Sequence, residues 1–299
     1  MFDTSPQLDC AGRILKLDVP RVMGIVNVTP DSLSDGGAHF DADAAIAHGL
    51  KLAEEGADLL DIGGESTRPG AQEISVEEEL RRVIPVIERL ARDTALPISI
   101  DTSKPEVMRA AVEAGAGMIN DVYALRREGA LDAAAQLRVP VVLMHMQGEP
   151  RTMQVQPEYD DVVGEVHRFL AERIFAAEMA GVARRNIVVD PGFGFGKTTA
   201  HNLQLLAQLR RFTELGVPVL AGMSRKKSIG ELTGRDDPRA RVFGSVAAHL
   251  IAAQNGAMLL RVHDVAATVD ALKVWNAVAA LPAQRKATGS PAVQWPDDT

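Results

Sequence analysis

The sequence predicts a single α/β domain built as a (β/α)8 barrel, and two observations carry that expectation. Eight short runs rich in Val, Ile and Leu recur along the 299 residues, and amphipathic segments separate them. The runs are hydrophobic on both faces rather than alternating, which is how strands of a covered parallel sheet read. Eight strand-then-helix units in a chain of this length are the count for a closed barrel. A doubly wound open sheet is the alternative, and its usual mark, a G-x-G-x-x-G after the first strand, is missing.

Residues 1–20 are too short for a domain, and LDCAGRILKLDVP within them reads as a hairpin-like segment capping the barrel bottom. The first strand is VMGIVNV (22–28), which ends on Asn27 and hands over to a long polar loop. ADLLDIGG (57–64), LPISIDT (96–102) and GMINDV (117–122) follow, then VPVVLMHM (139–146), NIVVDPG (186–192), VPVLAGMS (217–224) and AMLLRVHD (257–264). Between them, AAIAHGLKLAEEGA, VEEELRRVIPVIERLAR, PEVMRAAVEAGA, YDDVVGEVHRFLAERIFAAEMAG and HNLQLLAQLRRFTELG space their apolar residues three and four apart. Several end at a glycine just before the next strand, and Pro105 suits a first helical turn. The barrel spans 21–282, and the polar tail AQRKATGSPAVQWPDDT (283–299) is expected to be disordered. RARVFGSVAAHLIAAQNGA (239–257) is apolar on more than one face; an outer barrel helix needs only one, so the surplus predicts a homo-oligomer.

Composition narrows the function classes. The net charge is −8 and no Lys/Arg block stands out, which argues against a nucleic-acid surface; an anionic ligand would be held by local positive groups. A single cysteine, Cys10, rules out an internal disulfide framework, suits a reducing compartment and reads as a small unreactive residue. The start, MFDTSPQLDCAGR, has no signal-peptide pattern, and no apolar stretch approaches ~18 residues. A cytoplasmic location is expected.

In a barrel of this class the site lies at the C-terminal ends of the strands, and each expected strand here ends on polar groups. Asn27 ends the first, Asp61 the second, Asp101 the third, Asn120 and Asp121 the fourth and His145 the fifth. Asp190 precedes PGFGFGK after the sixth; Ser224, Arg225 and Lys226 end the seventh, and Arg261, His263 and Asp264 the eighth. Leaving so many polar groups buried without partners would cost about 1–3 kcal/mol each, so a catalytic mouth is the better reading. Asp101, Asn120 and Asp190 form a set of acceptors and an amide suited to an amidine-like heterocycle with N–H donors in a row. Asp121 and Asp264, one residue on, are expected to point the other way. Arg68, Arg225, Lys226, Lys227, Arg261 and His263 form a positive set. Arg261 and His263, two apart on a strand, project to one side; with Asn27 and an Mg²⁺ they suit a pyrophosphate.

PGFGFGKTT does not fit a Walker A loop, because Pro191 stands where that loop needs glycine. It is a Gly/Phe-rich loop in which Phe195 either offers a ring for stacking on a flat substrate or packs on its own barrel. No nucleophile elbow surrounds Ser224 and no zinc spacing is present, which leaves displacement of a good leaving group in an electrostatically matched site.

GIVNVTPDSLSDGG, DIGGESTRPGA, ISIDTSKPEV, INDV, DPGFGFGKT, GMSRKKSIG and RVHDV, in this order, closely resemble the bacterial dihydropteroate synthase family over about residues 11–280. The resemblance implies a homodimeric, Mg²⁺-dependent barrel enzyme of folate synthesis. Such an enzyme joins 6-hydroxymethyl-7,8-dihydropterin diphosphate to p-aminobenzoate by a dissociative substitution, releases pyrophosphate and is a sulfonamide target. By motif, Asp101, Asn120, Asp190 and Lys226 would hold the pterin, with Thr67 beside it. Asn27 would meet the metal and the diphosphate, and Arg261, Val262 and His263 the diphosphate. Thr67, Arg68, Pro69, Phe195 and Ser224 would shape the p-aminobenzoate pocket, completed by loops 27–39 and 63–72, and Asp35 would bind metal or steady the developing cation. Two departures stand out: Leu33 replaces the usual Phe of the first loop, and Lys227 adds a charge after Lys226. Two other readings compete, a pterin-binding protein without turnover and a folate-dependent methyltransferase on a related barrel. The S-T-R-P-G and S-R-K segments argue against the second.

Overall fold

The computed structural model describes residues 6–28, 38–66, 71–148, 153 and 157–281. Strands β1 (Gln7–Cys10) and β2 (Arg13–Lys16) form an antiparallel hairpin. Its two-residue turn, Ala11 and Gly12, lies at positive φ in both positions, the geometry that matches strand twist.

Eight parallel strands follow: β3 (Arg21–Asn27), β4 (Leu59–Gly63), β5 (Ile98–Asp101), β6 (Met118–Asp121), β7 (Val141–Met144), β8 (Ile187–Asp190), β9 (Val219–Ala221) and β10 (Ala257–Val262). They close in sequence order, with β10 returning to β3, as the sequence predicts. Seven lie inside the expected runs, and β3 starts one residue earlier, at Arg21. Around them lie α1 (Ala38–Glu54), α2 (Val76–Asp93), α3 (Pro105–Glu113), α4 (Ala130–Leu137) and α5 (Val162–Met179). Then come α6 (Thr199–Ala207), α7 (Arg210–Thr213), α8 (Lys227–Thr233), α9 (Val242–Gln254) and α10 (Val265–Ala279). The segment 201–216, read as one amphipathic stretch, divides between α6 and α7. Asn255 donates to the Leu206 carbonyl at 2.9 Å, where a continuing helix would place its own N–H.

Alternation along the strands sorts the core into two layers. Val22, Leu60, Ile98, Ile119, Val141, Ile187, Val219 and Leu260 pack outward beneath the helices. Their neighbours Met23, Leu59, Met118, Val142, Val188, Leu220 and Leu259 point into the barrel, where they meet Leu8, Cys10, Leu15 and Leu17 of the hairpin. The fit is close: a Cβ at Gly117 would lie 2.3 Å from the Cys10 carbonyl oxygen. Arg13 clamps the hairpin to the end of α2 by donating to the carbonyls of Ala91 and Leu96, both at 2.5 Å. Burial pushes the Cys10 thiol up to about 12, so it is inert.

Candidate active site

Two residues up four of the strands from the inner apolar layer, the same inward face turns polar. Asp61 stands above Leu59, Asn120 above Met118, Asp190 above Val188 and Arg261 above Leu259, while Asp101 stands level with Asn120 across the β5–β6 pairing. Arg261 joins them. Its Nε donates to Asp61 Oδ2 at 2.6 Å and its Nη2 to Asp101 Oδ2 at 2.7 Å. Asn120 Nδ2 donates to the same Asp61 oxygen at 3.0 Å. Burial would lower the Arg261 pKa, but the charges of Asp61 and Asp101 outweigh it and hold the guanidinium above its usual range. Burial pushes the Asp101 carboxyl up to about 7, against the pull of Arg261.

Across the mouth, Asp190 is also raised by burial, with the Gly192 N–H donating to its Oδ1 at 2.7 Å and opposing the rise. Burial pulls the Lys226 ammonium down to about 8 while Asp190 holds it up. Lys226 Nζ donates to the Phe193 carbonyl at 2.5 Å and lies 4.1 Å from the centroid of the Phe195 ring. The glycine-rich loop that supplies both groups is built around a buried lysine. Lys197 Nζ donates to the carbonyls of Gly192 and Phe195, each at 2.9 Å, and to His145 Nδ1 at 2.9 Å. Burial holds His145 down to about 2, so the ring is neutral and accepts that bond. His145 therefore supports the loop from below instead of facing a ligand.

The ends of β9 and β10 are stitched together. Ser224 Oγ accepts the His263 N–H at 3.0 Å and lies 3.0 Å from His263 Nδ1. His249 of α9, fully buried, accepts the Met223 N–H through Nε2 at 3.2 Å, which leaves Nδ1 to donate to the Ser245 carbonyl at 2.7 Å. Burial holds His249 down to about 4. Arg225, one of the positive set, takes a left-handed φ of 58° and gives its guanidinium to Asp264 at 2.5 and 3.0 Å. That chain reversal separates it from Lys226: one arginine is tied to the barrel wall, the next lysine turns into the mouth. Asp264 and Asp121 are both wall residues; Asp121 accepts the N–H groups of Tyr123 at 2.8 Å and Leu125 at 2.7 Å, and the Ser103 hydroxyl. Lys227 is 88% exposed and pairs with Glu231 at 3.4 Å, a solvated i,i+4 contact.

Asn27 ends β3 level with Gly63. The Val262 side chain is buried in the outer apolar layer, so only its backbone reaches the rim. Thr67, Arg68, Pro69, Asp35 and Leu33 lie outside the described residues. The root of the S-T-R-P loop is described: Lys104 Nζ, buried, donates to Glu65 Oε2 and Glu79 Oε2, both at 2.6 Å, and Arg82 donates to the Gly64 carbonyl at 2.9 Å. A cavity of 810 Å³ lined by Ile74, Lys104, Tyr123, Arg126 and Arg127, among others, shares no residue with the Asp61–Arg261 cluster. From the sequence, Asp61 is placed at the end of a strand but given no role, and Lys197, His249 and Lys104 are given none either. Asp61 and Lys104 carried a signal, a charge inside or beside an apolar run.

A closed barrel whose mouth sets carboxylates and an amide against an arginine and a lysine defines a barrel enzyme that binds a polar, partly anionic ligand. Comparison with known proteins narrows the class. Residues 23–263 match the family described as pterin binding enzyme. The chain is 52% identical over 271 residues to the dihydropteroate synthase of Escherichia coli (strain K12), covering 91% of this chain and 96% of that protein. A solved structure of Xanthomonas albilineans dihydropteroate synthase with 4-aminobenzoic acid superposes with a TM-score of 0.90 at 76% identity, over 93% of this chain and all of the other. A Yersinia pestis dihydropteroate synthase structure with a sulfonamide drug gives 0.88 at 49% identity, over 92% of this chain and 100% of that one. The chain belongs to the pterin-binding enzymes and, among them, to the dihydropteroate synthases.

Proposed function

We propose that the protein condenses 6-hydroxymethyl-7,8-dihydropterin diphosphate with p-aminobenzoate to give 7,8-dihydropteroate and pyrophosphate, a step of folate biosynthesis that sulfonamides block. The observation that carries the residue roles is the buried cluster in which Arg261 lies between Asp61 and Asp101, opposite Asp190 and Lys226. Asp101, Asn120 and Asp190 accept the N–H donors of the pterin, a match for an aminopyrimidinone edge. Lys226, held against the Phe193 carbonyl, faces the ring from the other side, and Arg261 with His263 meets the diphosphate. Val262 contributes its backbone. Ser224 and Phe195 border the p-aminobenzoate position, together with Thr67, Arg68 and Pro69.

The reaction breaks the bond between the pterin methylene carbon and the diphosphate oxygen and forms a bond from that carbon to the arylamine nitrogen, which releases a proton. Pyrophosphate leaves with the electron pair of the broken bond. Charge builds on the leaving oxygens and on the pterin-methyl group, so the cationic rim acts on the first and the carboxylates of the floor, with Asp35, on the second. Among the described residues no group of three or more His, Cys, Asp or Glu is placed to hold a metal. Mg²⁺ binds few protein oxygens, so the Asn27 side-chain oxygen would be one protein ligand, with Asp35 a further candidate and diphosphate and water completing the set. Bound there, Mg²⁺ would neutralise the leaving group.

The reading includes a homodimer through α9, supported by Phe243, 88% exposed, and Ile251, 43% exposed, on that helix. Light scattering on Phe243→Asp tests it, a monomer being expected. It also includes a cytoplasmic location, which the lone buried Cys10 suits; no helix among the described residues is long and apolar enough to cross a membrane. Pyrophosphate release by the purified protein, with pterin diphosphate and Mg²⁺ and with or without p-aminobenzoate, tests the whole. Release dependent on p-aminobenzoate and inhibited by a sulfonamide is expected. Pterin binding with no product would favour the binding-protein reading instead.

A further inference from the structure

The mouth contains one carboxylate for which the proposed chemistry has no use. Asp61 is fully buried, and one of its oxygens, Oδ2, receives both the Arg261 Nε and the Asn120 Nδ2. Its other oxygen, Oδ1, is buried with no hydrogen-bond partner among the described residues. Oδ2 accepts from the Arg261 guanidinium, so the end of the Asn120 amide that meets this oxygen is its NH2 group. Its carbonyl oxygen is then the atom left for a ligand. The same carboxylate fixes Arg261: with Nε on Asp61 and Nη2 on Asp101, the guanidinium plane is set and Nη1 is the nitrogen left over.

We infer that Asp61 is a positioning residue that sets two substrate-facing groups at once, turning Asn120 into an acceptor and fixing the plane of Arg261. The inference rests on the reading of this mouth as the pterin diphosphate pocket. Its physical basis is the asymmetry of the site: removing a carboxylate that orients two neighbours frees both to rotate, although neither is itself altered. An amide at position 61 has nearly the same shape, yet it brings an NH2 group and only one acceptor. Both donors already share Oδ2. The amide therefore either keeps its oxygen there, uncharged and with its NH2 group forced into the buried place of Oδ1, partnerless among the described residues, or flips and turns that NH2 group against both donors. Either way the hold on Asn120 and Arg261 weakens.

The test is Asp61→Asn, with Asp61→Thr as a second variant of about the same volume. Pterin diphosphate binding is measured by calorimetry, KM and kcat for each substrate by pyrophosphate release, and folding by thermal melting. Partners that orient a ligand-binding side chain from behind typically contribute 10–100-fold in metal sites, and a loss of about that size is expected in pterin diphosphate affinity. The KM for p-aminobenzoate should stay within about 2-fold of wild type, because the hydrogen bonds of Asp61 go to Arg261 and Asn120 and not to Phe195 or Ser224, the described residues assigned to it. Either variant folding normally and showing this split supports the inference. Wild-type pterin binding in both variants overturns it. So does a loss that appears equally for both substrates and follows the melting temperature, or failure of both variants to fold, since Asp61 would then serve the fold alone. A wild-type protein that makes no dihydropteroate would instead sink the synthase reading, whatever the variants do.

Discussion

Arg261→Met tests how the charges of the mouth are balanced, because it removes the guanidinium and leaves Asp61 and Asp101 facing one another. Removing one partner of a buried pair costs about 3–5 kcal/mol. At about 2 °C per kcal/mol for a chain of this size, the melting temperature should fall by about 6–10 °C. The cost should also depend on pH. In the wild type Asp101 titrates at about 7, and Arg261 pulls it down while Asp61, Glu79 and Asp121 push it up. Without Arg261 its pKa rises further, so between pH 7 and 8 the variant keeps a proton that the wild type has released. The unfolded chain holds no such proton there, so the variant goes on losing stability with rising pH where the wild type stops. One pH unit of one proton is about 1.4 kcal/mol, and the deficit at pH 8 should exceed that at pH 5 by about that amount. The assay is thermal unfolding of both proteins at the two pH values, comparing differences so that all other groups cancel. An equal deficit at both, or a larger one at pH 5, would refute the pairing of Arg261 with Asp101.

The free enzyme's kcat/KM for pterin diphosphate should rise through about pH 7 as Asp101 ionises and fall above about pH 8 as Lys226 loses its proton. In Lys226→Arg, whose charge persists, the alkaline limb should vanish; a wild-type profile that is level from pH 6 to 9 would contradict the assignment. His249 is held down to about 4 in the fold from an ordinary 6.5, so its contribution to stability is complete above 6.5 and lost as pH falls toward 4. That loss is about 3 kcal/mol, and His249→Gln should flatten this part of the melting-temperature curve; an unchanged acid slope would show that other groups produce it.

The barrel was legible because its strands are buried on both faces: each reads as an apolar run whose length and spacing survive any detail of packing. The polar rim was legible for the same reason, since Asp101, Asn120 and Asp190 interrupt those runs at the same end. What the sequence concealed is which polar groups act on each other. Asp61 and Arg261 are 200 residues apart, and only barrel closure, β10 on β3 beside β4, brings them together. Arg225 and Lys226 read alike as basic residues after β9, and it takes a left-handed backbone at Arg225 to send them to different sides. Lys197 follows a glycine-rich stretch that fails the phosphate-loop spacing, and nothing in the order of residues says that carbonyl oxygens of its own loop surround it.

The hairpin seated under the strands makes the barrel a blind cup. Leu8, Cys10, Leu15 and Leu17 stopper the lower end with an apolar plug that a pterin or a diphosphate has no means of crossing. Entry and exit share one doorway. Two reactants and two products must therefore queue at the same rim, and whichever molecule lies deepest has to arrive first and depart last.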